Sequence, residues 1–194
     1  YGYQYAGVNT ANGNPMYYKG DGSLVQHNIA NNTFYFATGK DDATLLPANA
    51  TTMTFNDKVK LGDAIPKWFG ALTNSFTYKN LSLEVMLRYS GGNKIMNTTR
   101  QEALMNQSFQ NNGREILERW TAPGQETDVP RLRWGQGNNI NQNGVAISRF
   151  VEDGDYLRLQ NVVLSFNFDR TKLQKWTNGY IQNARIYAQG QNLY

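Results

Sequence analysis

Two stretches of this chain alternate apolar and polar residues for longer than an ordinary strand needs. In "KWFGALTNSFTYKNLSLEVMLRYS", residues 67 to 90, Trp68, Leu72, Phe76 and Tyr78 share one parity. After Lys79-Asn80, the residues Leu81, Leu83, Val85, Leu87 and Tyr89 do the same, with Ser82, Glu84 and Arg88 facing the other way. In "YLRLQNVVLSFNF", Tyr156 to Phe168, the set Val162, Leu164, Phe166 and Phe168 alternates with Val163, Ser165 and Asn167. Successive side chains of a strand point to opposite faces, so this is a β pattern with one greasy face. The first stretch is expected to form an antiparallel hairpin closed by a two-residue turn. At about 3.3 Å per residue, a strand of about 11 residues tilted by about 45° rises about 26 Å, the height of a bilayer's apolar band. Soluble strands average about five or six residues. Tyr78 beside the turn and Tyr89 at the far end stand where an interfacial aromatic girdle would be, although a soluble sandwich places such residues similarly.

Composition decides which solvents remain open to that face. Mean hydropathy is -0.63, and no run of about 18 apolar residues exists, which excludes a transmembrane helix. A transmembrane barrel stays open, because its alternating strands average out as polar. Aromatic residues make up 13% of the chain, with 12 Tyr and 9 Phe, and flat rings favour pleated surfaces. Cysteine is absent, which removes disulfides, zinc-thiolate sites and a cysteine nucleophile. The formal charge of +4 comes from 19 Lys and Arg that are scattered rather than clustered, so no nucleic acid is expected as a partner. "YGYQYAGVNT" carries no signal-peptide series, and "QNLY" breaks off in an alternating segment. The chain is therefore expected to be an internal fragment.

Between the patterned stretches the sequence is polar. Tyr1, Tyr3 and Tyr5 open the chain, "NGNP" turns it, and "MYYK" reads as a short strand. Residues 20 to 57 read as a long loop with a small hairpin around Phe34 to Phe36. Ser90 to Asp155 is another long connection. Within it Ile116, Leu117 and Trp120 of "REILERW" have helical spacing, which predicts one short helix over Arg114 to Trp120. "GQGNNINQNG", Gly135 to Gly144, is a low-complexity polar loop. A final strand is expected in "ARIYAQGQNLY", where Arg185, Tyr187, Gln189 and Gln191 oppose Ala184, Ile186 and Ala188. One turn of two residues, then connections of about 65 and about 15, is the habit of outer-membrane barrels, which keep short turns on one side and long loops on the other.

Chemistry is sparse. The single histidine, His27, sits in a polar context without cysteine or a nucleophile to work with, so neither a metal site nor a triad is expected. Glu152, Asp153 and Asp155 in "VEDGDY" surround an Asp-Gly turn rather than forming a glycosidase pair. "KGDGS", Lys19 to Ser23, lacks most of the ligands of a calcium loop and reads as a turn. The Asn-x-Thr triplets at Asn31 and Asn97 arise by chance in a chain this rich in Asn and Thr. The candidate substrate-binding residues are Arg131, Arg133 and Trp134 of "RLRWG", which offer stacking and carboxylate pairing. The competing role of Trp120 and Trp134 is to pack the loop against itself. No catalytic, cofactor-binding or metal-binding residues are expected.

Four segments carry a family likeness. "LGDAIPKWFGALTNSFTYKNLSLEVMLRYSGGNKIMNTTR", "ERWTAPGQETDVPRL", "SRFVEDGDYLRLQNVVLSFNF" and "ARIYAQGQNLY" resemble, in this order, the C-terminal barrel region of SusC/RagA-type TonB-linked outer-membrane proteins. "YGYQYAGVNTANGNPMYYKGDG" resembles the strand and turn before it, and Ser23 to Val59 is the least similar part. The resemblance implies an all-β fold: a segment of an antiparallel transmembrane barrel of the 22-stranded kind, with long extracellular loops. Residues 1–194 would be the C-terminal portion of the barrel domain, without plug, TonB box or last strand. It implies import of oligosaccharides or peptides across the outer membrane of a Bacteroidetes-type Gram-negative cell. The implied partners are TonB, reached through the plug side, a SusD-like surface lipoprotein over the mouth, and the lipid bilayer. It implies no enzymatic activity and no cofactor. Lys79-Asn80 would lie in the periplasm and Ser90 to Asp155 outside the cell, with Val162, Leu164, Phe166 and Phe168 toward lipid. The alternative reading is a soluble secreted β-domain that binds glycans through loop aromatics such as Trp134.

Overall fold

The computed structural model describes residues 1–105, 111–136, 141–142 and 144–193. Part of the polar loop Gly135 to Gly144, residues 137–140 and 143, lies outside the described residues. The chain folds into two compact units, one formed by Tyr1–Ala64 with Lys94–Glu152, the other by Ile65–Asn93 with Asp153–Tyr194.

The second unit is built on the two patterned stretches. β6 (Trp68–Tyr78) and β7 (Leu81–Gly91) form the expected hairpin, in which Tyr78 pairs with Leu81 across Lys79-Asn80. β10 (Tyr156–Asn167) pairs antiparallel with β7, and β11 (Arg185–Leu193) with β10, giving the order β11-β10-β7-β6. The strands are 9 to 12 residues long. β10 changes phase in its middle. Leu159 lies opposite Leu87, but the next paired residue is Asn161, opposite Met86, so Gln160 is a bulge. One extra residue exchanges the two faces of a strand. The bulge thus keeps odd-numbered Leu157 and Leu159 on the same side as even-numbered Val162, Leu164 and Phe166. It continues into β11, where the Gln160 side chain donates to the Asn192 Oδ1 at 3.0 Å, and Asn192 has a φ of 53°.

A helix, α1 (Arg170–Trp176), bridges β10 to β11. Its seven residues carry no clear periodicity, but its start has a sequence signal: Asp169 at the N-cap accepts from the Thr171 and Lys172 amides.

The first unit holds a five-stranded antiparallel sheet in sequence order. Its strands are β1 (Gln4–Val8), β2 (Pro15–Tyr18), β3 (Leu24–Asn28), β4 (Thr33–Phe36) and β5 (Ala50–Thr51). The expected small hairpin is β3–β4, but residues 20 to 57 are more ordered than a long loop. Asn and Thr in this stretch close turns with their side chains, as where the Asn31 side-chain Oδ1 accepts from the Thr33 amide. Tyr3, Tyr17, Val25, Met105, Val129, Ile147 and Phe150 form the buried core. Tyr5 and Phe34 meet Tyr17 edge-on, at 5.6 and 6.0 Å between ring centroids. β8 (Lys94–Met96) pairs with β9 (Val151–Asp153) in a separate two-stranded ladder.

The helix expected over Arg114 to Trp120 exists as a shorter 3-10 helix, Arg114–Glu118. Gly113 at its N-cap supplies no side-chain acceptor, and five residues are too few to propagate an α-helix. Trp120 lies beyond it, its amide donating to the Val129 carbonyl at 2.9 Å. A π-helical turn at Thr99–Leu104 was not foreseen. His27 also differs from expectation: it is fully buried in β3, stacked on Phe34 at 4.4 Å, with its Nε2 2.9 Å from the Asn32 Oδ1.

Candidate functional site

The second unit presents a sheet face that no other segment covers among the described residues. Cross-strand register puts Leu72, Phe76 and Tyr78 of β6 level with Leu87, Leu83 and Leu81 of β7, then Leu164 and Phe166 of β10, then Ala188 and Ile186 of β11. These side chains are not covered: Phe76 is 61% exposed, Leu157 71% and Leu164 45%. So much contiguous apolar surface marks a contact with something other than water. The opposite face carries Thr73, Ser75, Thr77, Ser82, Glu84, Arg88, Ser165, Arg185 and Gln189, as their register requires. Two glycines shape one end of the apolar face. Gly70 is paired with Tyr89 and Gly91 with Trp68, and the large ring lies over the glycine each time. A Cβ on Gly70 would stand 2.5 Å from the Tyr89 hydroxyl, and one on Gly91 2.1 Å from the Trp68 ring. The rings thus cover backbone that glycine leaves bare. Tyr78 and Tyr89 mark opposite ends of the hairpin.

The first unit contains a cleft of 610 Å³ along β1, lined by Tyr5 to Val8, Thr10, Lys40, Asp41 and Glu126 to Asp128. Three carboxylates and one lysine give it an acidic balance. Sequence reasoning missed this cleft because its charged residues come from separate segments with no common motif. Behind it stands an ionic network. Arg100 grips Glu115 through two hydrogen bonds, Nε to Oε2 at 2.7 Å and Nη2 to Oε1 at 2.9 Å. Arg149, almost wholly buried, donates to the same carboxylate at 2.8 Å and stacks over Tyr5 and Phe150 at 5.6 and 5.0 Å. The hydrogen bond from Arg100 holds the Glu115 carboxyl below its usual range, with the neighbouring Arg149 charge adding to the effect. Burial pushes Asp128 up. It also pushes up Tyr5, whose hydroxyl donates to the Asp128 carbonyl at 3.0 Å. Each arginine and Glu115 is engaged by a neighbour, so the group works as a clamp on the loops and not as an acid/base pair.

The residues singled out from the sequence are not gathered in that cleft. Arg131 ties the loop down: its Nη1 donates to the Asn12 carbonyl at 3.1 Å and its amide to Gly13 at 2.9 Å. Trp120 packs on Gly13, where a Cβ would meet its ring at 2.5 Å, and donates from Nε1 to the Thr10 carbonyl at 3.0 Å. Trp134 is 61% exposed, and the Arg133 backbone carbonyl accepts from the Gln136 amide in the adjacent turn at 3.1 Å. The "KGDGS" turn is closed by Asp21, which accepts from the Ser23 amide and hydroxyl. In "VEDGDY", Glu152 accepts from Asn97 and Arg100, and Asp155 from the Gly92 amide at 2.7 Å. Among the described residues no group of three His, Asp or Glu side chains is placed to hold a metal ion, and no helix is long and apolar enough to cross a membrane.

No protein-family model matches the sequence. Among curated proteins, the chain is 29% identical over 148 residues to TonB-dependent receptor P3 of Formosa agariphila, covering 76% of this chain and 14% of the relative. It is 28% identical over 138 residues to TonB-dependent receptor P26 of the same organism, covering 71% of this chain and 13% of the relative. The chain therefore spans about one seventh of these relatives. Among solved structures, the RagAB peptide transporter matches all of this chain and 18% of its own, with a TM-score of 0.64 at 22% identity.

Proposed function

We infer, from the premise that this chain is a stretch of a SusC/RagA-type TonB-dependent receptor, that it forms the C-terminal part of the barrel wall of an outer-membrane importer. The observation that carries this reading is the four-stranded sheet, whose long strands present one uncovered apolar face and an opposite polar face. Strands of this length suit the bilayer's apolar band. The open edges of β6 and β11 require neighbours, and barrel closure supplies them. In this reading Leu164 and Phe166 face lipid, Ser165 and Arg185 face the lumen, Lys79-Asn80 turns in the periplasm, and Ser90 to Asp155 lies outside the cell. The cargo is an oligosaccharide or a peptide, received with a SusD-like surface lipoprotein and moved with energy delivered through TonB. Exposed Trp134, with Arg133 beside it, is a candidate contact for cargo, whereas Arg131 is occupied in holding its loop.

Fractionation of the native protein, followed by gel migration with and without boiling in detergent, tests the reading. Outer-membrane location with heat-modifiable mobility is expected. A water-soluble protein whose mobility ignores heating would overturn it in favour of a secreted glycan-binding domain.

A further inference from the structure

Where β6 turns into β7, the apolar face ends in a hollow of 390 Å³ lined by Tyr78, Lys79, Asn80, Leu81, Phe166, Asp169 and Lys172. Tyr78, Leu81 and Phe166 belong to the apolar face by register. Lys172 comes from α1, so the helix brings a cation to the apolar side of the sheet. Phe168 extends the apolar floor by meeting Phe166 edge-on at 5.3 Å. Two ammonium groups stand at this rim. Lys79 lies over the Tyr78 ring at 5.3 Å, and neither it nor Lys172 is paired with a carboxylate among the described residues. The one acid in the hollow, Asp169, has its Oδ1 engaged by the Thr171 and Lys172 amides. Arg170 and Lys175 of the same helix are exposed as well.

The helix is amphipathic in a way that packing within the protein does not explain. Leu173 is buried, whereas Lys172, Lys175 and Trp176 share one exposed arc at 100° per residue. Trp176 is 72% exposed, and Tyr180, just beyond the helix, 91%. Basic and aromatic side chains together at the edge of an apolar surface match a headgroup layer, where rings sit at the boundary and ammonium groups meet phosphate.

We propose that this hollow is a binding site for an anionic glycerophospholipid of the periplasmic leaflet. Its phosphodiester lies between the Lys79 and Lys172 ammonium groups, one acyl chain runs along Leu81, Phe166 and Leu164, and Trp176 and Tyr180 rest in the headgroup layer. This rests on the barrel reading, which makes the apolar face lipid-facing and the Lys79-Asn80 end periplasmic. The charge complementarity and the continuity of the hollow with that face select a lipid over a soluble anion.

The test uses the full-length receptor in nanodiscs of phosphatidylcholine with a minority of phosphatidylglycerol, released into the gas phase for native mass spectrometry. Wild type is expected to retain phosphatidylglycerol over phosphatidylcholine, and preference should fall about fivefold for each of Lys79→Gln and Lys172→Gln. Lys60→Gln, an exposed lysine of the first unit paired with Asp63, should leave it unchanged. Equal retention in wild type and both variants would overturn the proposal, as would displacement of the lipid by soluble glycerol phosphate. Failure of the receptor to enter nanodiscs, with mobility insensitive to heating, would instead remove the barrel reading on which the site depends.

Discussion

Leu164 and Asp57 show how differently single residues act in the two units. On the barrel reading Leu164 faces lipid, so Leu164→Arg should cost about 2–4 kcal/mol if it lies near the midplane. Unfolding in lipid measures this, and an unchanged midpoint would contradict the outward orientation of β10. Asp57 works in the first unit through hydrogen bonds and the Lys19 ion pair. Burial raises its carboxyl, but hydrogen bonds from the Thr54 and Gly20 amides, the Thr54 hydroxyl and Lys19 outweigh this and bring it down to about 2. A carboxyl depressed in the folded state stabilises fully above its unfolded value of about 3.9. That contribution fades as pH falls through this value toward about 2, so the first unit should lose stability in that window. Asp57→Asn should remove about 1.5–3 kcal/mol at neutral pH and flatten the acid dependence, as thermal unfolding against pH would register.

Among the elements, the β6–β7 hairpin was fully legible, because period-two alternation, an intervening turn pair and length all agree. Parity alone did not reveal the bulge in β10, although "LRL" and "VVLSF" are apolar on opposite parities. Only pairing with β7 shows that Gln160 is the extra residue. The glycines that accept Trp68 and Tyr89 were likewise visible as letters but not as neighbours. Gly91→Ala should push Trp68 from its seat and cost about 1–3 kcal/mol, as overpacking does. The accompanying shift in tryptophan emission would identify the ring that moved. α1 was missed because its seven residues carry too little periodicity, while its Asp169 cap was a readable sign. Asp169→Ala should cost about 1 kcal/mol and raise amide exchange over Arg170 to Trp176 while leaving β10 protected.

At the level of the molecule, the barrel reading would reconcile one polar average with two kinds of apolar surface. The first unit buries a core of Tyr3, Tyr17, Val25 and Phe150, as water demands. The second leaves Leu72, Phe76 and Leu157 uncovered, as lipid would permit on the barrel reading. In the lipid-embedded receptor, amides on the outer edges of β6 and β11 should exchange as slowly as those of β7, because barrel neighbours pair with them. Fast exchange at both edges would count against closure. The sequence by itself determined the β class, the hairpin register and the one-sided greasiness of the strands, since these depend on side-chain alternation between near neighbours. Only the tertiary structure decided that Arg131 anchors a loop while Trp134 stays exposed, that His27 is a core residue, and that Lys79 and Lys172 meet at one hollow. Those outcomes depend on which distant segments pack together, and neither spacing nor composition encodes that locally.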